Sequence, residues 1–313
     1  MAFKRVPQKF TASVNEVTIG TGDKAIVLGG ENVMPLYSFD APIANRAKIG
    51  VEITDAGYDK TVPGIAAFYA GAETIGDIAK RASEMPGGDF VVLTLEGADP
   101  NGENKSIDEC VAIAKEVADA IDVPLAIQGC KNIEKDTELF NKLAEALEGK
   151  NILLISARTE NYKQIAASAV MAYNQKISAE SAVDINLAKQ LNVVISQMGI
   201  AADNYVMNVG SAAAGYGFEY VASTLDRVRS AALEQNDGML QMPVITPVAL
   251  ETWNVKESIM SQADMPEWGD REERAIDMEI VTVSACLTSG SDAVILRHPT
   301  SVKTIAAMVA ALA

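Results

Sequence analysis

His298 is the single histidine among 313 residues. An imidazole there could serve as a general base or a metal ligand, because its ordinary pKa lies near neutrality. A histidine merely hydrogen-bonded at a strand end would look the same in sequence. Asp55 and Glu96 could form an acid–base pair, or could be carboxylates satisfied by Arg158 or Arg297. Gly215-Tyr216-Gly217 precedes a helical pattern and could turn bare backbone N–H groups towards an anion. A tight turn that lets the helix pack would need the same residues. Trp253 and Trp268 could stack on a flat ligand or on a partner, or could pack their own loop. Met198 and Tyr205 are adaptable apolar contacts if exposed and core if not. Cys110, Cys130 and Cys286 are too few and too widely spaced for a four-thiolate cluster or a Cys-x-x-Cys knuckle.

These groups need elements to position them. Short apolar runs at 49–53, 90–95, 125–128, 152–155, 176–179, 192–196, 244–246 and 293–296 read as strands. Helical patterns separate them, the clearest opening on the capping box Ser106-Ile107-Asp108-Glu109. Residues 13–29 read as a β-hairpin around Gly20-Thr21-Gly22-Asp23. Continuous apolar strands alternating with helices imply a parallel sheet buried on both faces. Eight such units favour a closed TIM (β/α)8 barrel over an open doubly wound sheet, with the hairpin closing its bottom. No Gly-x-Gly-x-x-Gly follows the first strand, which counts against a dinucleotide-binding half. The division expected is hairpin and link over 1–45 and barrel over 46–313, as one domain.

Function in such a barrel gathers at the C-terminal ends of the strands. Those ends read mostly as amides, hydroxyls and apolar tips, with no obvious Schiff-base lysine and no His–carboxylate cluster. The set suits a large ligand with many amide edges and an apolar face. On strand-end position, the expected contacts are Gln128, Gln197, Met198, Asn204, Tyr205, Gly215, Thr246, Trp253, Arg297 and His298. No residue is assigned as catalytic or as a metal ligand.

Net charge is −16, from 26 basic and 42 acidic residues, without a basic cluster. Nucleic acid and anionic membrane are therefore poor partners. No apolar run approaches the ~18 residues a span needs. MAFKRVPQKF lacks an apolar core behind its early positive charges, so no leader and a cytoplasmic location are expected. Odd, scattered cysteines suit that reducing compartment.

Gly215-Tyr216-Gly217-Phe218-Glu219-Tyr220, then residues 223–229 (STLDRVR) and 252–258 (TWNVKES), resemble the small subunit of the corrinoid iron–sulfur protein. The related subunit of the archaeal acetyl-CoA decarbonylase/synthase complex is similar too. The likeness runs over the whole chain, and the Gly-Tyr-Gly-x-Glu-Tyr run is its most specific part. The resemblance implies a heterodimer whose large subunit carries the iron–sulfur cluster and a corrinoid domain. The small subunit would be a barrel whose C-terminal face covers the cobalt corrinoid without itself being catalytic. A methyl group would come from methyltetrahydrofolate through a separate methyltransferase and pass to acetyl-CoA synthase, in the reductive acetyl-CoA pathway. His298-Pro299 does not sit in the Asp-x-His-x-x-Gly pattern by which cobalamin proteins ligate cobalt. The competing possibility is a stand-alone pterin-dependent methyltransferase of the same fold.

Overall fold

The computed structural model describes residues 6–313. Residues 1–5, part of the stretch expected to lack a leader and of the 1–45 segment, lie outside the described residues. An antiparallel hairpin comes first, β1 (Glu16–Ile19) and β2 (Ile26–Gly29). Eight parallel strands follow: β3 (Lys48–Thr54), β4 (Phe90–Thr94), β5 (Leu125–Gln128), β6 (Leu153–Ala157), β7 (Lys176–Glu180), β8 (Tyr205–Asn208), β9 (Ile245–Thr246) and β10 (Ala293–Leu296). Strands β3 to β8 pair in chain order, and β10 pairs with both β3 and β9. A parallel bridge between Met207 and Val244 joins β8 to β9, with Met207 N–H donating to the Pro243 carbonyl at 2.7 Å. That contact closes the cylinder and decides against an open sheet.

The helices are α1 (Pro63–Phe68), α2 (Ile75–Ser83), α3 (Ile107–Ala120), α4 (Ile133–Ala146) and α5 (Tyr162–Ile165), the last continuing as a π-helix through Ala172. After them come α6 (Ile185–Gln197), α7 (Phe218–Leu233), α8 (Val248–Thr252), α9 (Lys256–Ile259), α10 (Arg271–Ser289) and α11 (Pro299–Leu312). The capping box expected at α3 forms: Ser106 Oγ accepts the Glu109 N–H at 3.2 Å, and Glu109 Oε2 accepts the Ser106 N–H at 2.8 Å. It satisfies two of the N–H groups a helix start leaves bare.

Side chains alternate across each strand. One set, including Val51, Leu93, Ile127 and Leu154, packs against helix residues such as Cys110, Leu139 and Leu143. The other set fills the lumen: Phe90, Val92, Ala126, Leu153, Ile155, Val206, Ile245, Ala293 and Ile295. Val17, Ile19 and Leu28 of the hairpin join this inner cluster, so the hairpin plugs the N-terminal end. Gly50 leaves room there; a Cβ at that position would lie 2.6 Å from the Phe90 ring. Followed upward in the same alternation, the lumen positions turn polar: Glu52, Thr94, Gln128, Ser178, Asn208 and Arg297.

One strand assignment is overturned. Residues 192–196, expected as the sixth barrel strand, are the last turns of α6. Asp184 caps that helix by accepting from the Asn186 and Leu187 N–H groups at 2.8 and 3.2 Å. Ala188, Leu191, Asn192 and Ile195 then form its buried stripe. A short apolar run has no periodicity that separates a strand from a buried helix segment. The sixth strand is β8, which follows α6 after the short turn Ala202–Asn204.

The link behind the hairpin is held by a buried cluster. Arg229 of α7 donates through Nη2 to Asp292 Oδ1 at 2.6 Å and to the Gly290 carbonyl at 2.8 Å. Its Nη1 lies 3.6 Å from Glu31 Oε2. Asp292 Oδ2 accepts the Val244 N–H at 2.7 Å, which ties the start of β9 to the same cluster. Burial, reinforced by Asp292 and opposed by Arg229, raises the Glu31 carboxyl from 4.5 to about 8. Lys48, close enough to feel Glu31, has its own pKa lowered by burial. The folded chain keeps the Glu31 proton between about pH 4.5 and 8, where the unfolded chain has lost it. Stability from this group is therefore full below that window and falls as pH rises through it. Glu31→Gln keeps a donor towards Asp292 and removes the titration. Urea unfolding should show the variant gaining on the parent between pH 5 and pH 8; parallel pH profiles would refute the assignment.

Candidate functional site

Two recesses open at the C-terminal end of the barrel. The first, about 410 Å³ with its open mouth, lies over β5 to β8 and is lined by Gln128, Ser156, Arg158, Glu180, Asn208 and Ser211 among others. Most of its polar groups satisfy one another. Asn208 Nδ2 donates to Ser156 Oγ at 2.9 Å, and Ser178 Oγ donates to the same oxygen at 3.2 Å. Asn208 Oδ1 accepts the Gly210 N–H at 2.9 Å. Arg158 pairs with Glu180 at 3.0 Å, and Lys131 with Glu251 at 3.0 Å. On the wall, Asp136 Oδ1 accepts from Cys130 N–H at 2.8 Å and Cys130 Sγ at 3.3 Å. Gly129 is required beside it, because a Cβ there would run into the Asp136 carboxylate. Burial pushes the Cys130 thiol up to about 12, so it is no nucleophile at neutral pH. Two atoms stay bare: Ser211 Oγ, and Oε1 of Gln128, whose side chain is only 5% exposed.

The second recess, about 660 Å³ with its mouth, lies beside β3, β4 and β10. Glu52 points into the lumen there. Its Oε1 accepts from Thr94 Oγ1 at 2.9 Å and its Oε2 from Arg297 Nε at 2.9 Å. Behind Arg297, Trp253 stacks on His298 with centroids 5.9 Å apart and planes 11° from parallel. The guanidinium also lies 5.9 Å from the Trp253 ring centre. Glu279 of α10 accepts the Arg297 N–H at 2.7 Å and the His298 N–H at 3.3 Å, and burial raises its pKa. Asp55 is held by Lys105 at 2.9 Å and by the Gly97 N–H at 3.1 Å.

His298 caps α11. Its Nδ1 accepts the Thr300 N–H at 3.0 Å, so its proton sits on Nε2, which faces Glu272 Oε1 at 3.0 Å. Glu272 Oε1 also accepts the Gly64 N–H at 2.5 Å. Burial holds the imidazole below its ordinary pKa, against the pull of Glu272. Both ring nitrogens are engaged and the side chain is 2% exposed, which leaves no lone pair for a metal or a substrate proton.

The ten expected contact residues separate into groups. Gln128 reaches the first recess and Arg297 the second. Trp253 and His298 form the packed layer behind Arg297. Gly215 lies in the loop between β8 and α7, exposed and at φ 86°. Thr246 is adjacent to the lumen residue Ile245 and so faces the helices, its hydroxyl 2.6 Å from Ser291 Oγ. Gln197, Met198, Asn204 and Tyr205 are at the opposite, N-terminal end, a consequence of α6 having been read as a strand. There Asn204 Oδ1 accepts from Lys176 Nζ at 2.8 Å, and Tyr205 is fully buried with its hydroxyl 3.4 Å from the Asn192 carbonyl. Position therefore corrects those four and Thr246. Asn208 was missed with its strand, although the run Tyr205-Val206-Met207-Asn208 before Val209-Gly210 carries a strand-and-turn signal. Glu52 was missed because it sits inside an apolar run, and Glu272 and Glu279 because one helical carboxylate looks like another.

The closed barrel and its hydrogen-bonding rim define a TIM-barrel protein. Over residues 16–309 the chain matches the model of the CO dehydrogenase/acetyl-CoA synthase delta subunit, and it belongs to that family. It is 32% identical over 307 residues to the acetyl-CoA decarbonylase/synthase complex subunit delta 1 of Methanosarcina thermophila, covering 94% of this chain and 69% of that one. It is 32% identical over 289 residues to the delta 2 subunit of Methanosarcina acetivorans, covering 90% and 65%. The chain thus spans about two thirds of the length of these relatives. Among solved structures it is similar to Xanthomonas albilineans dihydropteroate synthase, with TM-score 0.57, 12% identity, and 95% and 98% of the two chains covered. At that identity the likeness concerns the fold. No helix among the described residues is long and apolar enough to cross a membrane.

The histidine geometry has a direct check. Long-range proton–nitrogen NMR at pH 6.5 should show the lone imidazole as a neutral ring protonated on Nε2. A ring half-protonated at that pH would contradict the buried geometry.

Proposed function

We propose that this chain is the small subunit of a corrinoid iron–sulfur methyl carrier, with its C-terminal rim covering one face of the corrinoid. Its large partner would hold the iron–sulfur cluster and the other face. A methyltransferase would supply the methyl group from methyltetrahydrofolate, and acetyl-CoA synthase would receive it. Membership of the delta-subunit family supports a place in such a multi-subunit system. When bound, the corrinoid supplies the cobalt chemistry, and the protein sets access and environment.

The observation that carries this proposal is the bare Gln128 Oε1 in the first recess. A buried acceptor without a donor is costly, roughly 1–3 kcal/mol. A corrinoid is edged with carboxamide arms, whose N–H groups are the donors this oxygen lacks. Asn208, Ser156 and Ser211 extend the same neutral, hydrogen-bonding lining. Arg158 and Glu180 neutralise each other beside it, so the recess favours a neutral polar edge over an ion. His298 contributes no ligand to cobalt, since both its nitrogens are committed within the chain.

The test is co-expression with the large partner, followed by the visible spectrum and cobalt content of the purified complex. Corrinoid should accompany the pair and bind the isolated chain poorly. Gln128→Leu should weaken corrinoid retention about fivefold, the worth of one hydrogen bond, with little change in melting temperature. A pair that assembles without ever taking up corrinoid would remove the proposal, as would equal retention by the variant.

A further inference from the structure

The second recess contains polar atoms that the barrel does not use. Tyr69 is 2% exposed, lines the recess, and its buried hydroxyl has no partner. Its ring is fixed by Tyr58 at 5.2 Å, nearly stacked, and by Phe68 edge-on at 4.9 Å. The hydroxyl is therefore immobile as well as bare. Arg297 donates to Glu52 through Nε at 2.9 Å. Its Nη2 lies 2.8 Å from the same oxygen, yet it makes no well-directed hydrogen bond there and is buried. The free Tyr69 hydroxyl and the Nη2 edge of Arg297, ion-paired with Glu52 but without a directed hydrogen bond, thus line one recess. Glu96, exposed at the mouth, is a free-standing acceptor, and Ile53, Ile65, Ala56 and the Tyr58 ring supply an apolar wall.

Charge decides which group fits. Within the lining, Asp59 is neutralised by Arg271 at 3.0 Å. That leaves the carboxyls of Glu52 and Glu96 against the guanidinium of Arg297. Lys60 sits over Tyr58, 5.7 Å from its ring centre, outside the lining. A ligand carboxylate would add a third negative group to this set. A primary carboxamide presents one oxygen for two donors and an N–H for one acceptor, without charge.

We propose that this recess is a recognition subsite for a primary carboxamide carried on a short apolar arm, with Tyr69 and Arg297 donating to its oxygen and Glu96 accepting from its nitrogen. This class of ligand follows from the recess alone. Assigning the arm to a peripheral amide of the corrinoid rests on the function proposed above. An asparagine or glutamine of the partner chain carries the same group.

The experiment uses the full chain without its partner and 3-phenylpropionamide as the probe, with 3-phenylpropionate as its charged counterpart, titrated by calorimetry or ligand-observed NMR. The amide should bind and the acid should bind at least about tenfold more weakly, since a buried like charge is strongly disfavoured. Tyr69→Phe should weaken the amide about fivefold. Glu96→Gln should narrow the preference for amide over acid, a change that a merely structural role for Glu96 would not produce. No amide binding by the parent chain, or equal affinity for amide and acid, overturns the subsite. Because no corrinoid is present, that result is separate from loss of corrinoid by the assembled complex. A cobinamide competitor then identifies the source: displacement of the probe assigns the arm to the corrinoid, and displacement only by the corrinoid-free partner assigns it to protein.

Discussion

A carboxylate inside the barrel must be paired, and Glu52 sets the arrangement of the rim through that requirement. Removing an ion from water costs several kcal/mol, recovered only when its geometry is good and its remaining lone pairs are filled. Thr94 from β4 and Arg297 from the end of β10 fill them. Arg297 is then fixed in the plane that lies against Trp253. The backbone N–H groups of Arg297 and His298 converge on Glu279, and Trp253 stacks on His298. One buried ion thereby joins β3, β4, β10, α10 and the start of α11. His298, first among the residues that could do chemistry, is a structural part of this assembly.

The lumen is graded from one end to the other. Hairpin residues Val17, Ile19 and Leu28 make its floor apolar, while Glu52, Thr94, Gln128, Ser178 and Asn208 make its upper layer polar. Alternation along each strand makes this possible, since one face of a strand can change character while the other keeps packing helices. Within the lumen, hydrogen-bonding partners for a ligand are therefore concentrated at the C-terminal end. At the floor Lys176 is already engaged by Asn204 at 2.8 Å, and the hairpin blocks entry from below.

The sequence disclosed the barrel because seven of the strands are apolar runs flanked by turn residues, and their ends fall within a few residues of the expected positions. The exception, residues 192–196, shows what periodicity omits. A five-residue apolar run suits a buried helical stripe as well as a strand, and the capping aspartate at 184 was the available signal for the former. The error moved four candidate contacts to the wrong end of the molecule. Gln128 and Arg297 were legible because strand ends in a barrel carry function whatever their chemistry. The pairing of Glu52 with Arg297 was not, since 245 positions separate them. Nor did sequence reveal that Thr246 faces outward, because β9 is only two residues long.

Among the described residues, unsatisfied buried atoms are more frequent at the rim than at the floor, where Glu31 Oε2 and Asn192 Oδ1 also lack a hydrogen-bond partner. Tyr69 Oη, Gln128 Oε1, Ser181 Oγ and Ser211 Oγ are buried without hydrogen-bond partners, and all four lie at the C-terminal end. Each ordinarily costs on the order of 1–3 kcal/mol. Most charged groups nearby are paired: Arg158 with Glu180, Lys105 with Asp55, Arg271 with Asp59. What remains unpaired is chiefly neutral, in a chain of net charge −16 that repels anions at a distance. A rim with its charges matched and its amide and hydroxyl groups unmatched discriminates by hydrogen-bond pattern. On those terms an uncharged polar group suits the rim better than an ion does.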